Sequence, residues 1–429
     1  MSNAFTKEEK VAFEDILEGF SDKLVLSNLV TVDAPSDDVN MERSNDVVWK
    51  PMPYIAQAFS GTDMTSNFKD QTQLSVPTSV GYQYSSPWLM TAKQLRDALQ
   101  NKSLGKAAAQ KLASLINQRC MDIAANQGTL VVTRNAAASG FDDVSKCEQL
   151  FNEQGIMDGD RFLALSTSDY NGMAGNLASR QLDNKKTLSA YERAYVGEIA
   201  SFSTYKLDYA NRLTAAAGAG ITIGTRVADA QYYTPLARST AATGQSSNVD
   251  NRYQTVTVSS TTSVAAGDCF TIADCYAVHH ISKNVTANLK TFRVISVDSG
   301  TTMTISPPII SAQGATDAEL QYQNCSMSAT SATAAVTFIN TDTAYVNPFW
   351  HRDSVLLTPS RDGAIEPSSG VAVMRGSTEQ GIEVLWLKQF DILTKKTFYR
   401  ADISFGVDML QPEMAGIMLF GQNNNVPNA

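Results

Sequence analysis

The chain has 429 residues, enough for two or three domains, and its 43% hydrophobic and 18% charged composition fits a folded protein and excludes wholesale disorder. Its 43 acidic side chains outnumber 34 basic ones, a formal net charge of -9, which argues against a nucleic-acid binder with its basic face. The longest apolar stretches, Ile417–Phe420 and Val384–Leu387, are too short to span a bilayer, and the N-terminus has neither the basic start nor the apolar run of a signal peptide. A soluble product of the cytoplasm with no membrane partner is therefore expected.

Residues 6–24 are predicted to form an amphipathic helix. Thr6 and Glu9 make a capping box that satisfies free amides at the helix start. Phe13, Ile16, Leu17 and Phe20 recur at helical spacing and share one face, while Glu8, Glu14, Asp15, Glu18 and Asp22 keep the others acidic. Such a helix either lies on its own subunit or docks on a partner. Next, Val47–Trp49 reads as a strand broken off by Pro51 and Pro53, and Leu74 and Val76 begin a second one after a long polar tip. The pair is an extended hairpin with little core of its own, which gains stability by lying on something else.

The longest helical signal falls in 89–127, carried by Leu104, Ala108, Leu112, Leu115, Ile116 and Ile123. Gly105 marks a bend or break, and Gly128 a stop before the buried strand Leu130–Val132. Phe162–Leu165 reads as a short buried strand, Ser166–Asn176 as a loop leading into a helix, and the stretch around Tyr191, Arg193 and Tyr195 as irregular. This is α+β texture without regular βαβ alternation.

Composition changes at Ala215–Gly218. Residues 221–345 hold 35 serines and threonines and few helical patterns, the mark of short strands and turns. Gln254–Val258 alternates, and Phe292–Val297 followed by Asp298-Ser299-Gly300 and Thr302–Ile305 is a hairpin signal in which Gly300 supplies a positive φ. A small β domain inserted into a larger one is expected here. Mixed texture returns after 346, with strands at Val355–Leu357, Ile382–Leu387 and Phe398–Val407.

Chemistry is hard to place. The cysteines Cys120, Cys147, Cys269, Cys275 and Cys325 are odd in number and irregular in spacing, as expected of reduced thiols filling gaps. Cys269, Cys275, His279 and His280 are the one cluster with metal donors, but C-x5-C-x3-H-H lacks the paired spacing of a closed zinc site. There is no G-x-S-x-G elbow, no Walker loop and no H-E-x-x-H helix, and Gly218-Ala219-Gly220 reads as a linker. No catalytic, cofactor-binding or metal-ligating residue is expected, and no cofactor. A hydrolase would need a nucleophile close to His351 or His279.

One family has this organisation. Val249–Ser259, with Gly267-Asp268, Lys283–Val285, Thr291-Phe292 and Val294 following, resembles the inserted domain of the P22-like coat proteins of tailed bacteriophages. The run Gln118–Thr133, with Met121, Ala124 and Gly128, resembles the end of that family's spine helix and the next strand. Asn347–Trp350, Arg400-Ala401 through Gly406-Val407, Pro412–Gly416 and Gly421-Gln422 resemble its C-terminal part. The marks span most of the chain, and their strength lies in their order.

The resemblance implies an α+β, Hong Kong ninety-seven-type capsid fold: an N-terminal arm (1–45), an extended loop hairpin (46–88), a spine helix with peripheral and part of the axial domain (89–220), an inserted all-β barrel-like domain (221–345), and the rest of the core (346–429). It implies a major capsid protein rather than an enzyme. Pentamers and hexamers would build an icosahedral procapsid with a scaffolding protein and a portal protein, and the mature virion shell would hold packaged double-stranded DNA against its inner surface. The family's scaffolding proteins carry a basic C-terminal segment, which makes Glu14, Asp15 and Glu18 the candidate scaffold contact. The family's inter-capsomer loop corresponds to residues 238–252, where this sequence departs by being poor in charge: Arg238, Asp250 and Arg252 are its candidate contacts. The alternative, a phage tail or decoration protein, would be mostly strand, against the long helix at 104–127.

Overall fold

The computed structural model describes residues 5–21, 26–33, 47–52, 62–65, 68, 70–100, 105–179, 197–207, 209–224, 232–312, 316–327, 333–360, 370–378 and 380–427. The first third of the chain forms helix α1 (Lys7–Ser21), strands β1 (Thr31–Val32), β2 (Val47–Pro51), β3 (Ser75–Ser79) and β4 (Tyr82–Thr91), helices α2 (Ala92–Gln100) and α3 (Lys106–Gln127), and strand β5 (Leu130–Thr133). Helix α4 (Phe141–Gln154), β6 (Arg161–Leu165), α5 (Thr167–Ser179), β7 (Glu198–Ile199), β8 (Phe202–Lys206) and β9 (Arg212–Leu213) follow. The strand-rich stretch holds β10 (Thr222–Gly224), β11 (Arg238–Thr240), β12 (Ser246–Asn248), β13 (Gln254–Thr257), β14 (Cys269–Val278), β15 (Val285–Val297), β16 (Thr302–Ser306), helix α6 (Asp317–Tyr322), β17 (Cys325–Met327) and β18 (Thr333–Phe338). The chain ends with β19 (Ala344–Tyr345), β20 (Asn347–His351), β21 (Val355–Pro359), β22 (Ala372–Ser377), β23 (Glu383–Asp391), β24 (Lys396–Met409) and β25 (Ala415–Leu419).

Three local expectations change. The 89–127 helix begins only at Ala92, because Leu89, Met90 and Thr91 still pair with Phe398, Thr397 and Lys396. Gly105, whose φ of 75° a side chain would strain, interrupts it, and helix resumes as α3 at Lys106; residues 101–104, Leu104 among them, lie outside the described residues. The loop expected at Ser166–Asn176 is helix from Thr167 onward. Ser166 caps it: its hydroxyl accepts from the Asp169 amide at 3.1 Å and donates to the Asp169 carboxylate at 2.8 Å. Gly300 does not take positive φ. The Ser299 hydroxyl instead accepts from the amides of Thr301 and Thr302 and holds the β15–β16 turn. Tyr191, Arg193 and Tyr195 lie outside the described residues.

The chain forms two compact units, each drawn from three separate stretches of sequence. The first comprises Met1–Val48, Pro77–Ile123 and Val355–Asp408. Its sheet runs β1-β21-β24-β23-β22, and β4 pairs with β24 from Tyr82↔Phe405 to Thr91↔Lys396. The second comprises Trp49–Val76, Ala124–Ser354 and Met409–Ala429. It holds a six-stranded sheet, β5-β25-β20-β6-β8-β7, whose strands β5, β20 and β25 are buried throughout and therefore read as near-continuous apolar runs. Leu130, Val132, Phe151, Leu163, Phe202 and Phe349 form its core.

The inserted stretch forms its own sheet in that unit, β10-β18-β14-β15-β16-β13, with β17 on β14. Its edges meet, since Ile223 of β10 bridges to Val258 just beyond β13, so the sheet curls into a barrel around Phe270, Phe292, Val294, Ile305 and Val336. Gln254–Thr257 alternates buried and exposed as its sequence does.

Candidate assembly surfaces

The N-terminal helix is held in its own unit. The Thr6 amide donates to Glu9 Oε2 at 2.8 Å and the Glu9 amide to Thr6 Oγ1 at 3.3 Å, a reciprocal capping box. Glu9 does more than cap. Its side chain is 1% exposed and accepts from Lys388 Nζ at 2.8 Å and from the Tyr399 hydroxyl at 2.6 Å. Burial works to raise the Glu9 pKa, but the hydrogen bonds from Lys388, Tyr399 and the Thr6 backbone outweigh it and hold it below the usual carboxylate value. Phe13 lies 5.3 Å from the Trp386 ring, which packs with Trp88 and Tyr399. Phe13 and Ile16 are buried and Leu17 is half-buried, so this part of the apolar stripe is spent on the protein's own sheet. Of the candidate scaffold contacts, Glu14 is exposed, Asp15 is half-buried, and the side chain of Glu18, like that of Phe20, lies outside the described residues.

The extended hairpin is tied down at its base. Leu74 is buried with Ile310 and Tyr322, the Tyr322 hydroxyl donates to the Thr72 carbonyl at 2.7 Å, and the Thr72 amide donates to Gln321 at 3.1 Å. Most of the polar tip lies outside the described residues; Phe68 within it is 87% exposed.

The barrel carries a small hairpin, β11 with β12, in register from Arg238↔Asn248 to Thr240↔Ser246. Arg238 and everything through Ser247 are exposed. Asp250 and Arg252 are placed differently. Arg252 grips the Asp250 carboxylate through Nε at 2.9 Å and Nη2 at 2.6 Å, donates to the Met409 carbonyl at 2.7 Å, and is 7% exposed. The two charges satisfy each other within one subunit, which leaves Arg238 as the outward-facing member of the three.

Sequence reading missed the residues that bolt the barrel to the six-stranded sheet. Arg293, on β15, is buried and donates to the carbonyls of Ala125 and Gly128, where α3 ends. Those carbonyls have no helical partner and carry the negative end of the helix dipole, which suits a cation. Burial pulls the guanidinium pKa down, opposed by Cys269 and Asp268 nearby. Thr291 donates to the Thr129 carbonyl at 2.8 Å, and Lys290 pairs with Glu413. Strand β15 is buried on both faces from Lys290 to Val294, and nothing in the local sequence says that Lys290, Thr291 and Arg293 are covered.

The thiols are free and buried, and burial pushes Cys120 up to about 12 and Cys269 to about 11, so neither is a nucleophile at neutral pH. Among the described residues no group of three or more His, Cys, Asp or Glu is placed to hold a metal ion, and no helix is long and apolar enough to cross a membrane.

Several solved structures are similar to the chain. A chain of Mycobacterium phage Che8 is 10% identical over 92% of this chain and 90% of that one, with a TM-score of 0.41. The capsid of the cyanophage P-SCSP1u is 10% identical over 91% and 86%, with a TM-score of 0.41. The I-domain of the CUS-3 coat protein is 33% identical over 29% of this chain and 98% of that one, with a TM-score of 0.22. The family model of the P22 coat protein, gene protein 5, matches residues 1–421. An α+β chain with a barrel inserted at 222–338 and a long helix leading into a buried strand has the organisation expected from the resemblance. The chain belongs to the P22 coat protein family and is a phage major capsid protein, a self-assembling subunit of the virion shell.

Proposed function

We propose that this capsid protein, made in the host cytoplasm, assembles with a scaffolding protein and a portal into an icosahedral procapsid, which then takes up double-stranded DNA. The family match over residues 1–421 carries this reading. Helix α1 supports the scaffold part: Phe13 and Ile16 are buried within the subunit, and Glu8 and Glu14 stay in solvent. Glu14 and Glu18, one turn apart, repel each other by a few tenths of a kcal/mol unless a basic partner neutralises them. An exposed pair contributes only about 0–1 kcal/mol, so such a contact matters through its repetition over the shell. The five segments 1–45, 46–88, 89–220, 221–345 and 346–429 serve as arm, extended loop, spine with periphery, barrel and remaining core. The barrel hairpin at 238–248 reaches a neighbouring capsomer, with Arg238 as its charged contact.

The test is coexpression with the scaffolding protein. Closed shells that retain scaffold at low salt and lose it as salt rises are expected, because exposed charges are screened within about 10 Å at 0.1 M. Glu14→Lys with Glu18→Lys should abolish retention. Unchanged scaffold content across the salt series would leave these acids a solubility role only.

A further inference from the structure

The turn joining β14 to β15 reaches the end of helix α4, and the two are fastened by few atoms. The His280 amide donates to the Gln154 carbonyl at 3.1 Å, one of the carbonyls the helix leaves unpaired. Lys290 donates to the Gln154 side chain at 3.3 Å. The His279 ring packs against Gly155, where a Cβ would meet it at 2.6 Å, and its Nδ1 accepts from the amides of Ile281 and Ser282 at 3.2 and 3.1 Å. His279 thereby shapes the turn.

His280 is the anomaly. Its side chain is 14% exposed, its Nε2 is shielded from solvent, and that nitrogen has no hydrogen-bond partner. Glu413 Oε1 is 3.7 Å away, beyond hydrogen-bond reach, and already pairs with Lys290. The charged and titratable groups around the ring are Glu413 on the Pro412–Met414 turn, Lys290 on β15, and Lys283 and His279 on its own turn. Glu153 on α4 is engaged with Asn288 at 2.6 Å. A proton on His280 would thus be a cation with one anion in view, and that anion is committed to another cation.

We propose that His280 is an acid-operated latch: in acid its imidazole takes up a proton, and the turn 279–283 leaves the end of α4. The arrangement leaves room for this. A cavity of about 610 Å³ opens beside the latch, lined in part by Glu153, Gln154, Asn288 and Lys290, so water can reach the ring as the turn moves. Desolvation holds the imidazole down to about 4, opposed by Glu413 and reinforced by Lys290, Lys283 and His279. The sign follows. The closed latch binds fewer protons than the open one, so its stability is complete above the ordinary histidine value of 6.5 and is lost as pH falls from there toward 4. At pH 5 the open fraction rises by about tenfold, allowing for the ring's partial exposure.

Deuterium exchange on the full-length protein tests this, at pH 7.5 and 5.0, with intrinsic rates divided out. Segments 150–157 and 279–290 should open about tenfold more at pH 5.0 in the wild type, and not in His280→Gln or His280→Leu. The leucine variant keeps a packed side chain without a titratable atom, so it decides the matter should the glutamine variant fold poorly. An equal acid response in the folded variants, no acid response in the wild type, or a wild-type His280 signal titrating near 6.5 by NMR overturns the latch.

Discussion

Lys388 reaches both carboxylate oxygens of Glu9 at 2.8 Å across 379 residues of chain, and Tyr399 donates to the same carboxylate at 2.6 Å. A buried carboxylate with this many donors fixes the angle at which α1 meets the sheet. Removing it strands the Lys388 ammonium, whose side chain is 12% exposed, and breaks the capping box. Glu9→Ala should therefore cost about 3 kcal/mol, the range for breaking a buried pair. Because the folded pKa lies below 4.5, the carboxylate's contribution is present above pH 4.5 and is lost as pH falls through the folded value. Urea titrations followed by tryptophan fluorescence, which Trp386 and Trp88 report, should show the wild type and Glu9→Ala separated at pH 7 and converging in acid.

Gly416 faces Leu130 across the parallel β25–β5 ladder. A Cβ there would press on the Leu130 carbonyl, on Leu130 Cβ at 2.7 Å and on the Phe349 ring. Backbone in a buried ladder cannot yield as a side-chain tip does, so Gly416→Ala should destabilise by about 1–3 kcal/mol through overpacking. A lower urea midpoint and a smaller soluble fraction are the measurements.

Much of the fold was legible because its signals are local. Phe13, Ile16 and Leu17 declare a helix face, Phe292–Val297 with Thr302–Ile305 declare a hairpin, and the serine- and threonine-rich composition of 221–345 separates the barrel from its host. The assembly surfaces were less legible, because the role of a charge depends on a partner far along the chain. Glu9 reads locally as half of a capping box, and nothing near it announces Lys388. Arg252 and Arg238 look alike in sequence, yet one is buried against Asp250 and Met409 and the other is exposed. Glu413 and His280 come together only when the barrel docks.

Arg293 should matter more to stability than any surface charge. Its guanidinium supplies donors to the Ala125 and Gly128 carbonyls. Arg293→Met fills similar volume but leaves both carbonyls unpaired and buried, each costing about 1–3 kcal/mol. A loss of at least about 2 kcal/mol in urea titrations is expected. A neutral Arg293→Met variant would mean that water replaces the guanidinium and that the helix end needs no protein cap.

The final prediction separates Arg238 from the Asp250–Arg252 pair. Arg252 holds Asp250 through Nε and Nη2, anchors to the Met409 carbonyl, and lies 5.2 Å from the Tyr253 ring centre. The Asp250 side chain is 24% exposed, so solvent weakens the pair without dissolving it. Asp250→Ala then leaves a nearly buried guanidinium without its anion, and a loss of about 2 kcal/mol is expected, below the range for fully buried pairs. Arg238 has no such role, since it sits at the exposed start of the β11–β12 hairpin. Arg238→Glu should shift subunit stability by no more than about 0.5 kcal/mol, as surface changes do. Its effect should show in assembly, as fewer closed shells by electron microscopy at low salt, a defect that added salt partly relieves by screening the new repulsion. Asp250→Ala should lower the melting midpoint of isolated subunits first and affect shells only through that loss. Equal melting losses in the two variants, or normal shells from Arg238→Glu, would remove Arg238 from the contact between capsomers.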